Sequence, residues 1–273
     1  EMDKKANFRY TNVRGKNYFS VDVQSEPMTV PAGEYRETTY RVFAGPKKIS
    51  LLEEQGAKLD LAVDFGWYHI IAKMFFDILM WLYGLVGNLG LAVILLTIMI
   101  KMALWPLAAK SHVAMSKMKK LQPKMAQLKE KYGDDRQALG VEMMALYRQH
   151  KINPASGCWP MLIQIPIFFA FYKMILISFE FRHADFGLWI HDLSARDPYF
   201  ILPIIMGLTM LIQQKLNPPA ADPVQAQVMK MLPIIFTVMF AMFPAGLVLY
   251  WTTNSILSVA QQYFVMRRLG VEA

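Results

Sequence analysis

The sequence predicts an α-helical polytopic membrane protein. It is read as a five-span helical core with a polar groove and a cytoplasmic helical hairpin, preceded by a short β-rich segment. Three observations carry that prediction. Apolar runs of 16–23 residues recur after residue 88, in a chain of 273 residues that is 55% hydrophobic. Basic residues concentrate in the segments flanking those runs, as membrane topology requires. The first 58 residues instead alternate polar and apolar positions.

In that first region "NYFSVDVQS" and "EYRETTYRVFAG" read as short antiparallel strands, with Pro31-Ala32-Gly33 as the turn between them. Residues 1–58 carry both charge signs in near balance and look like the end of a water-exposed module. Glu1 is not a start residue, and no signal segment precedes it, so a fragment lacking its targeting segment is expected.

"GWYHIIAKMFFDILMWLYGLVG" (Gly66 to Gly87) is long enough to span, but His69, Lys73 and Asp77 recur every four residues as a polar stripe. Ile70, Ile71, Met74, Phe75, Ile78 and Trp81 oppose it. Residues 59–87 are therefore expected as an amphipathic helix in the membrane surface. Gly84, Gly87 and Gly90 allow a sharp turn into the core, residues 88–268.

Five spans follow: Leu89–Ala109, Ser156–Ser178, Tyr199–Gln214, Val228–Phe243 and Ala245–Val265. The polar segment 110–151 holds ten Lys/Arg against four Asp/Glu, whereas 179–198 holds two against four. Basic loops stay inside, which places 110–151 in the cytoplasm, 179–198 outside, the β segment outside, and Arg267-Arg268 inside. Segment 110–151 reads as two helices, Ser111 to Lys131 and, capped by Asp134 or Asp135, on to His150. Met115, Met118, Met125, Met143 and Met144 line the hairpin, either packing it together or offering a soft surface to apolar chains.

The chemistry is concentrated on polar groups inside the spans. Lys101 is the thirteenth residue of the first span, where an uncompensated charge costs at least about 2.5–3.5 kcal/mol. Snorkelling toward the interface is one way to reduce that cost. However, Lys101 has polar company: Thr97 and Trp105 at i−4 and i+4, Gln164 in the second span, and Thr209 and Gln213 in the third. Trp251, Asn254, Ser255, Ser258 and Gln262 form one stripe on the fifth. Interhelical hydrogen bonding explains any one of these residues; the set together points to a wet cavity that hydrates Lys101. Spans as short as 16 residues, about 24 Å, would thin the bilayer locally. Met206, Met210, Met229, Met231, Met239 and Met242 crowd the third and fourth, as packing or as a pliable apolar surface.

No nucleotide, metalloprotease or serine-hydrolase motif is present, and the lone Cys158 excludes a disulfide framework and a Cys-based metal site. Neither enzymatic activity nor a cofactor is expected. A nucleic-acid substrate is not expected either, because the positive charge follows the membrane flanks.

"NPASGCWPMLIQIPIFFAFYKM", "LWIHDLSARDPYFILPIIMG" and "LPIIFTVMFAMFPAGLVLYWTTNSILSVAQQ" closely resemble the YidC/Oxa/Alb membrane protein insertases, over about Leu59 to Arg268. The β region resembles the end of the periplasmic domain of Gram-negative members. The resemblance implies a bacterial inner-membrane protein with a groove open to cytoplasm and bilayer and closed toward the periplasm. It also implies a functional cytoplasmic hairpin, with nascent membrane proteins, the ribosome, the Sec translocon and the lipid bilayer as partners. The family's groove cation is usually arginine; Lys101 keeps the charge without the planar fork. The groove residues expected are Lys101, Thr97, Gln164, Thr209, Gln213, Trp251, Asn254 and Ser255. A channel or transporter with an anion site at Lys101 is the competing class, although no inverted repeat is visible. A scaffold that binds partner helices is a third.

Overall fold

A computed structural model describes residues 7–12, 19–24, 27–37, 39, 43–56, 58–133, 135–153, 159–217 and 223–268. The chain divides into two compact units, residues 1–61 and 62–273.

In the first unit, β1 (Asn7–Asn12) pairs antiparallel with β2 (Phe19–Gln24), with Asn7 opposite Gln24 and Asn12 opposite Phe19. β2 is the strand expected in "NYFSVDVQS". The strand expected from Glu34 onward is not formed among its described residues. Glu34 donates its N–H to Pro31 O at 3.1 Å, closing the expected turn, but β2 takes its partner from upstream instead. The short helix α1 (Ile49–Gln55) ends at Gly56, whose φ of +69° suits glycine.

The second unit is helical. α2 (His69–Val86) follows a 3₁₀ turn, Gly66–Tyr68, and stops at Gly87, which adopts φ +67° and donates to Tyr83 O at 2.8 Å. It has three faces. Ala72, Phe75, Phe76, Leu79 and Leu82 are buried and pack toward α3 (Leu89–Ala103) and α7 (Trp159–Ile177). Lys73 and Asp77 form an exposed ion pair of 2.8 Å. Trp67, Ile70, Met74, Trp81 and Leu85 present a third, exposed apolar face. At 21 residues, Gly66–Val86 is the one unbroken helix among those described that is long and apolar enough to cross a membrane.

The expected first span is not one helix. α3 ends at Ala103, the chain turns by 67° at Leu104, and α4 (Trp105–Lys120) begins. Pro106 explains the break: it has no N–H to offer the carbonyl of Met102 and its ring crowds that carbonyl, so the α3 ladder cannot continue, yet proline suits the first turn of a new helix. The hairpin's first helix is likewise two pieces, α4 and α5 (Gln122–Tyr132), parted at Leu121 just before Pro123. α6 (Arg136–Gln149) is capped by Asp135, which accepts from Gln137 N and Ala138 N at 3.0 and 2.9 Å. Asp134 lies outside the described residues. Met118, Met125 and Met143 are buried between these helices with Leu121 and Ile152, while Met144 is exposed. The hairpin methionines thus serve mainly its own packing.

α7 carries Pro166 within it, and the start of its expected span, residues 156–158, lies outside the described residues. α8 is Ile201–Leu216 and α9 is Pro223–Phe240. α9 therefore starts five residues before the expected Val228, because proline is accommodated at a helix start, and its apolar part is Ala226–Phe240. α10 (Ala245–Arg268) is the organising helix, packing on α3, α4, α7 and α8. α9 packs on α8, where Gly207 makes room: a Cβ there would lie 2.1 Å from Thr237 Oγ1.

The segment between α7 and α8 ties one end of this bundle together. Gly246 N donates to Leu193 O at 2.9 Å, and Asn88, which caps α3 through Leu91 N, also donates to Phe186 O at 3.1 Å. Buried Asp197 accepts from Trp189 Nε1 at 3.0 Å, Tyr199 N at 3.1 Å and Leu202 N at 2.7 Å. It thereby caps α8 across Phe200, whose φ is +56°.

Candidate functional site

The break at Leu104 changes the setting of Lys101. The residue is not in the middle of a helix but in the last turn of α3, where the unpaired carbonyls and the negative end of the helix dipole favour a cation. Its Nζ donates to Ser258 Oγ of α10 at 2.7 Å, and Ser258 in turn donates to Asn254 O at 2.7 Å. This chain of hydrogen bonds joins the lysine to the α10 backbone.

Beside the ammonium lies a cavity of about 30 Å³. Its polar lining is Lys101, Gln164 and Asn254, and its walls are Ile100, Leu104, Leu107, Ala108 and Ile163. A water occupies about 10–15 Å³ on this measure, so the space suits about two, and three converging polar side chains are enough to hold them. The helices supply this arrangement by their register: Gln164 comes from the first turns of α7, Asn254 from the middle of α10, and Lys101 from the end of α3. Gln164 also donates through Nε2 to the hydroxyl of Tyr250, a deeply buried ring stacked on Phe171.

The remaining expected residues lie elsewhere. Thr97 is buried one turn back along α3 and turns its hydroxyl to Val93 O at 2.7 Å. Thr209 does the same with Met206 O at 2.7 Å. Both hydroxyls are satisfied within their own helices, which is how such residues sit in apolar surroundings. Gln213 lies farther along α8 and is not part of the cavity wall. Ser255 is buried on α10. Trp251 stands among aromatic rings rather than polar groups, 5.1 Å from Phe168 and 5.3 Å from Phe240.

Sequence reasoning placed Ser258 on the α10 stripe but did not single it out as the partner of Lys101. It is four residues from Asn254, so the same face was the available signal. A second polar set went unnoticed: Ser111, His112 and Ser116 of α4 are buried, and Gln261 reaches Trp105 O at 3.4 Å. Ala108, His112 and Ser116 recur every four residues, continuing the cavity-lining face of α4. Of the methionines on α8 and α9, Met206 is core, whereas Met229, Met231, Met239 and, beyond the helix, Met242 are exposed.

The chain was then compared with known proteins. Residues 81–272 match the model of the 60Kd inner membrane protein family, and residues 1–78 match that of the YidC periplasmic domain. A curated relative from Geotalea daltonii, named membrane protein insertase YidC, is 50% identical over 253 residues, 93% of this chain and 48% of its own length. One of the same name from Marinobacter nauticus is 50% identical over 272 residues, covering 100% of this chain and 48% of its own. The chain spans about half the length of the curated relatives it matches. A crystal structure of an active YidC insertase with its first transmembrane domain resolved superposes with a TM-score of 0.61 at 28% identity, over 81% of this chain and 54% of that one. A family model matched along most of the length, relatives at half identity and a shared helical fold agree, and the chain belongs to the 60Kd inner membrane protein family, that of the YidC insertases.

Proposed function

We propose that this chain is the membrane core of an insertase that admits the polar tail of a nascent membrane protein into a hydrophilic groove and releases its apolar segment into the bilayer. The observation that carries this reading is the ammonium of Lys101, held by Ser258 beside a water-sized cavity with Gln164 and Asn254. A polar tail entering there exchanges water for fixed polar partners and is never fully desolvated. The apolar segment then leaves past α8 and α9, whose outer faces are greasy and partly methionine. About 20 apolar residues at roughly −0.3 to −0.6 kcal/mol each make the final state downhill, so the protein needs only to lower the barrier.

In this reading α3 with the start of α4, α7, α8, α9 and α10 are the five spans. Exposed Trp105, Trp159 and Tyr263 lie toward one end, and Trp81, Tyr83 and Tyr199 toward the other, as interfacial aromatic belts do. The basic hairpin is cytoplasmic, the β region periplasmic and the end of α10 cytoplasmic. The three faces of α2 suit a helix lying in the outer interface: one face on the bundle, one in water, one in lipid. The names of the relatives support nascent membrane proteins as substrate; the ribosome and the Sec translocon complete the proposed partners.

The test is Lys101→Leu in a reconstituted insertion assay. A unit charge pair at about 4 Å is worth roughly 1 kcal/mol in water and 4 kcal/mol at a protein surface. Substrates with acidic tails should therefore slow at least about fivefold, while neutral tails change little. Equal effects on both would remove the role assigned to the charge.

A further inference from the structure

The polar surface of the bundle does not stop at the cavity. Ala108 of α4 lines that cavity, and Ser258 of α10 holds the lysine beside it. Lys101 meets Ser258 and, four residues on, Trp105 O accepts from Gln261, so the two stretches of chain advance side by side. One turn past Ala108 is His112, with Ser116 a turn beyond it; one turn past Ser258 is Gln262. These steps lead toward the hairpin end of α4. All three side chains are buried, His112 being 6%, Ser116 3% and Gln262 1% exposed. Yet His112 Nδ1, Ser116 Oγ and Gln262 Oε1 meet no hydrogen-bond partner among the described residues. Buried polar groups are paired in about nine cases of ten, so three orphans on one continuous face mark a place made to receive a partner. Gln262 donates through Nε2 to Asn217 Oδ1 at 3.0 Å, which leaves its oxygen as an acceptor. Burial, and after it the charge of Lys101, push the His112 imidazole down to about 4, so the ring is neutral at pH 7 and carries one donor and one acceptor.

We infer that His112, Ser116 and Gln262 form a second polar station, on the hairpin side of Lys101, that binds the uncharged peptide groups of an arriving tail before the lysine meets its charge. The inference rests on the insertase reading above. An extended peptide presents N–H and C=O in turn. The station answers both, with an acceptor on Gln262, a hydroxyl on Ser116 that donates and accepts, and a neutral imidazole between the two roles. A carboxylate suits it less, because a group that only accepts has nothing to give the Gln262 oxygen. The division of labour follows from the chemistry: Lys101 responds to the charge of a tail, whereas the station responds to its backbone and is indifferent to charge.

The full-length protein in a reconstituted insertion assay tests this with three substrates that share one apolar segment and carry almost no tail, a long neutral tail or a long acidic tail. His112→Leu combined with Ser116→Ala should slow both long-tailed substrates at least about fivefold and to the same degree, while the tailless one stays within about twofold of the parent rate. The Tm of this variant should equal or exceed the parent's, because two orphaned polar groups have given way to apolar ones. His112→Gln, which keeps a donor and an acceptor, should recover most of the rate lost with leucine. Ser116→Ala alone, a smaller change, should slow both long tails about twofold and serves where the double variant is not recovered monodisperse. Parent-like rates on both long tails would overturn the inference, as would slowing confined to the acidic tail. An equal loss on the tailless substrate together with a lowered Tm would overturn it too, by making the seam structural. Failure of the underlying reading looks different: Lys101→Leu acting equally on both long tails removes the role of the charge and leaves the station standing, whereas a parent no faster than protein-free liposomes on every substrate removes the insertase reading and the station with it.

Discussion

Replacing Asp197 by alanine should destabilise the helical unit more than any exposed carboxylate substitution. The carboxylate takes three N–H donors, from Trp189, Tyr199 and Leu202. The Leu202 N–H is buried at the start of α8, and losing its acceptor costs the desolvation of an unpaired donor, about 1–3 kcal/mol. The other two are half-buried and can recover part of their bonding from water, so each loses about 0.5–1 kcal/mol. The negative charge near the first turn of α8 adds about 0.3–1 kcal/mol through the helix dipole. The sum is about 2–6 kcal/mol. For a unit spanning residues 62–273 that corresponds to roughly 4–24 °C in Tm at about 2–4 °C per kcal/mol. Thermal unfolding of the detergent-purified protein measures it directly. Asp197→Asn keeps one oxygen but turns an amide toward one of the donors, so it should fall between parent and alanine. A shift below about 2 °C for Asp197→Ala, or identical shifts for both variants, would show that the cap does not hold α8 in place.

Three further outcomes are expected. Gly207→Ala puts a methyl group 2.1 Å from Thr237 Oγ1 and should cost about 1–3 kcal/mol by forcing α8 and α9 apart; adding Thr237→Ala should restore most of it in a double-mutant cycle of melting temperatures. Lys101→Leu should leave Tm unchanged or raise it while slowing insertion, since the hydrogen bond to Ser258 is offset by the cost of keeping a charge at depth; a large fall in Tm would make Lys101 a structural residue instead. At Asp192, burial works against the charge, but hydrogen bonds from the Ser194 hydroxyl and backbone, together with His183, outweigh it and hold the carboxyl below the usual range. A lowered folded-state pKa stabilises above the unfolded value and is lost as pH falls through the folded one, so Asp192→Asn should lower Tm at pH 7, and the difference from the parent should shrink as the pH is taken below the usual carboxylate range.

The helices and the polar face of α10 were legible because a 3.6-residue period is written directly into the order of residues: Trp251, Asn254, Ser255, Ser258 and Gln262 fall on one side without any knowledge of neighbours. The sequence also pointed to Lys101, Gln164 and Asn254 as companions, since polar groups at depth in apolar runs have few alternatives. The partner of the lysine was not legible, because Ser258 is 157 positions away and choosing it over Ser255 requires the relative rotation of α3 and α10. The break at Leu104 was obscured for a different reason. Apolar side chains continue through Leu104, Trp105 and Leu107, and hydropathy does not register the missing N–H of Pro106. The strand pairing failed likewise: a period of two marks strands but does not say which two pair.

The bend at Leu104 has a mechanical consequence. α4 runs 16 residues, about 24 Å, from that corner into the hairpin, a long lever beside the short distance from the corner to Lys101. A swing of about 10° at the corner carries the far tip of α4 roughly 4 Å, while Lys101, three residues from the pivot, barely translates and chiefly turns. A rotation of α4 about that corner would therefore reach the ammonium chiefly as a turn, beside the hydrogen bond to Ser258 that anchors it to α10.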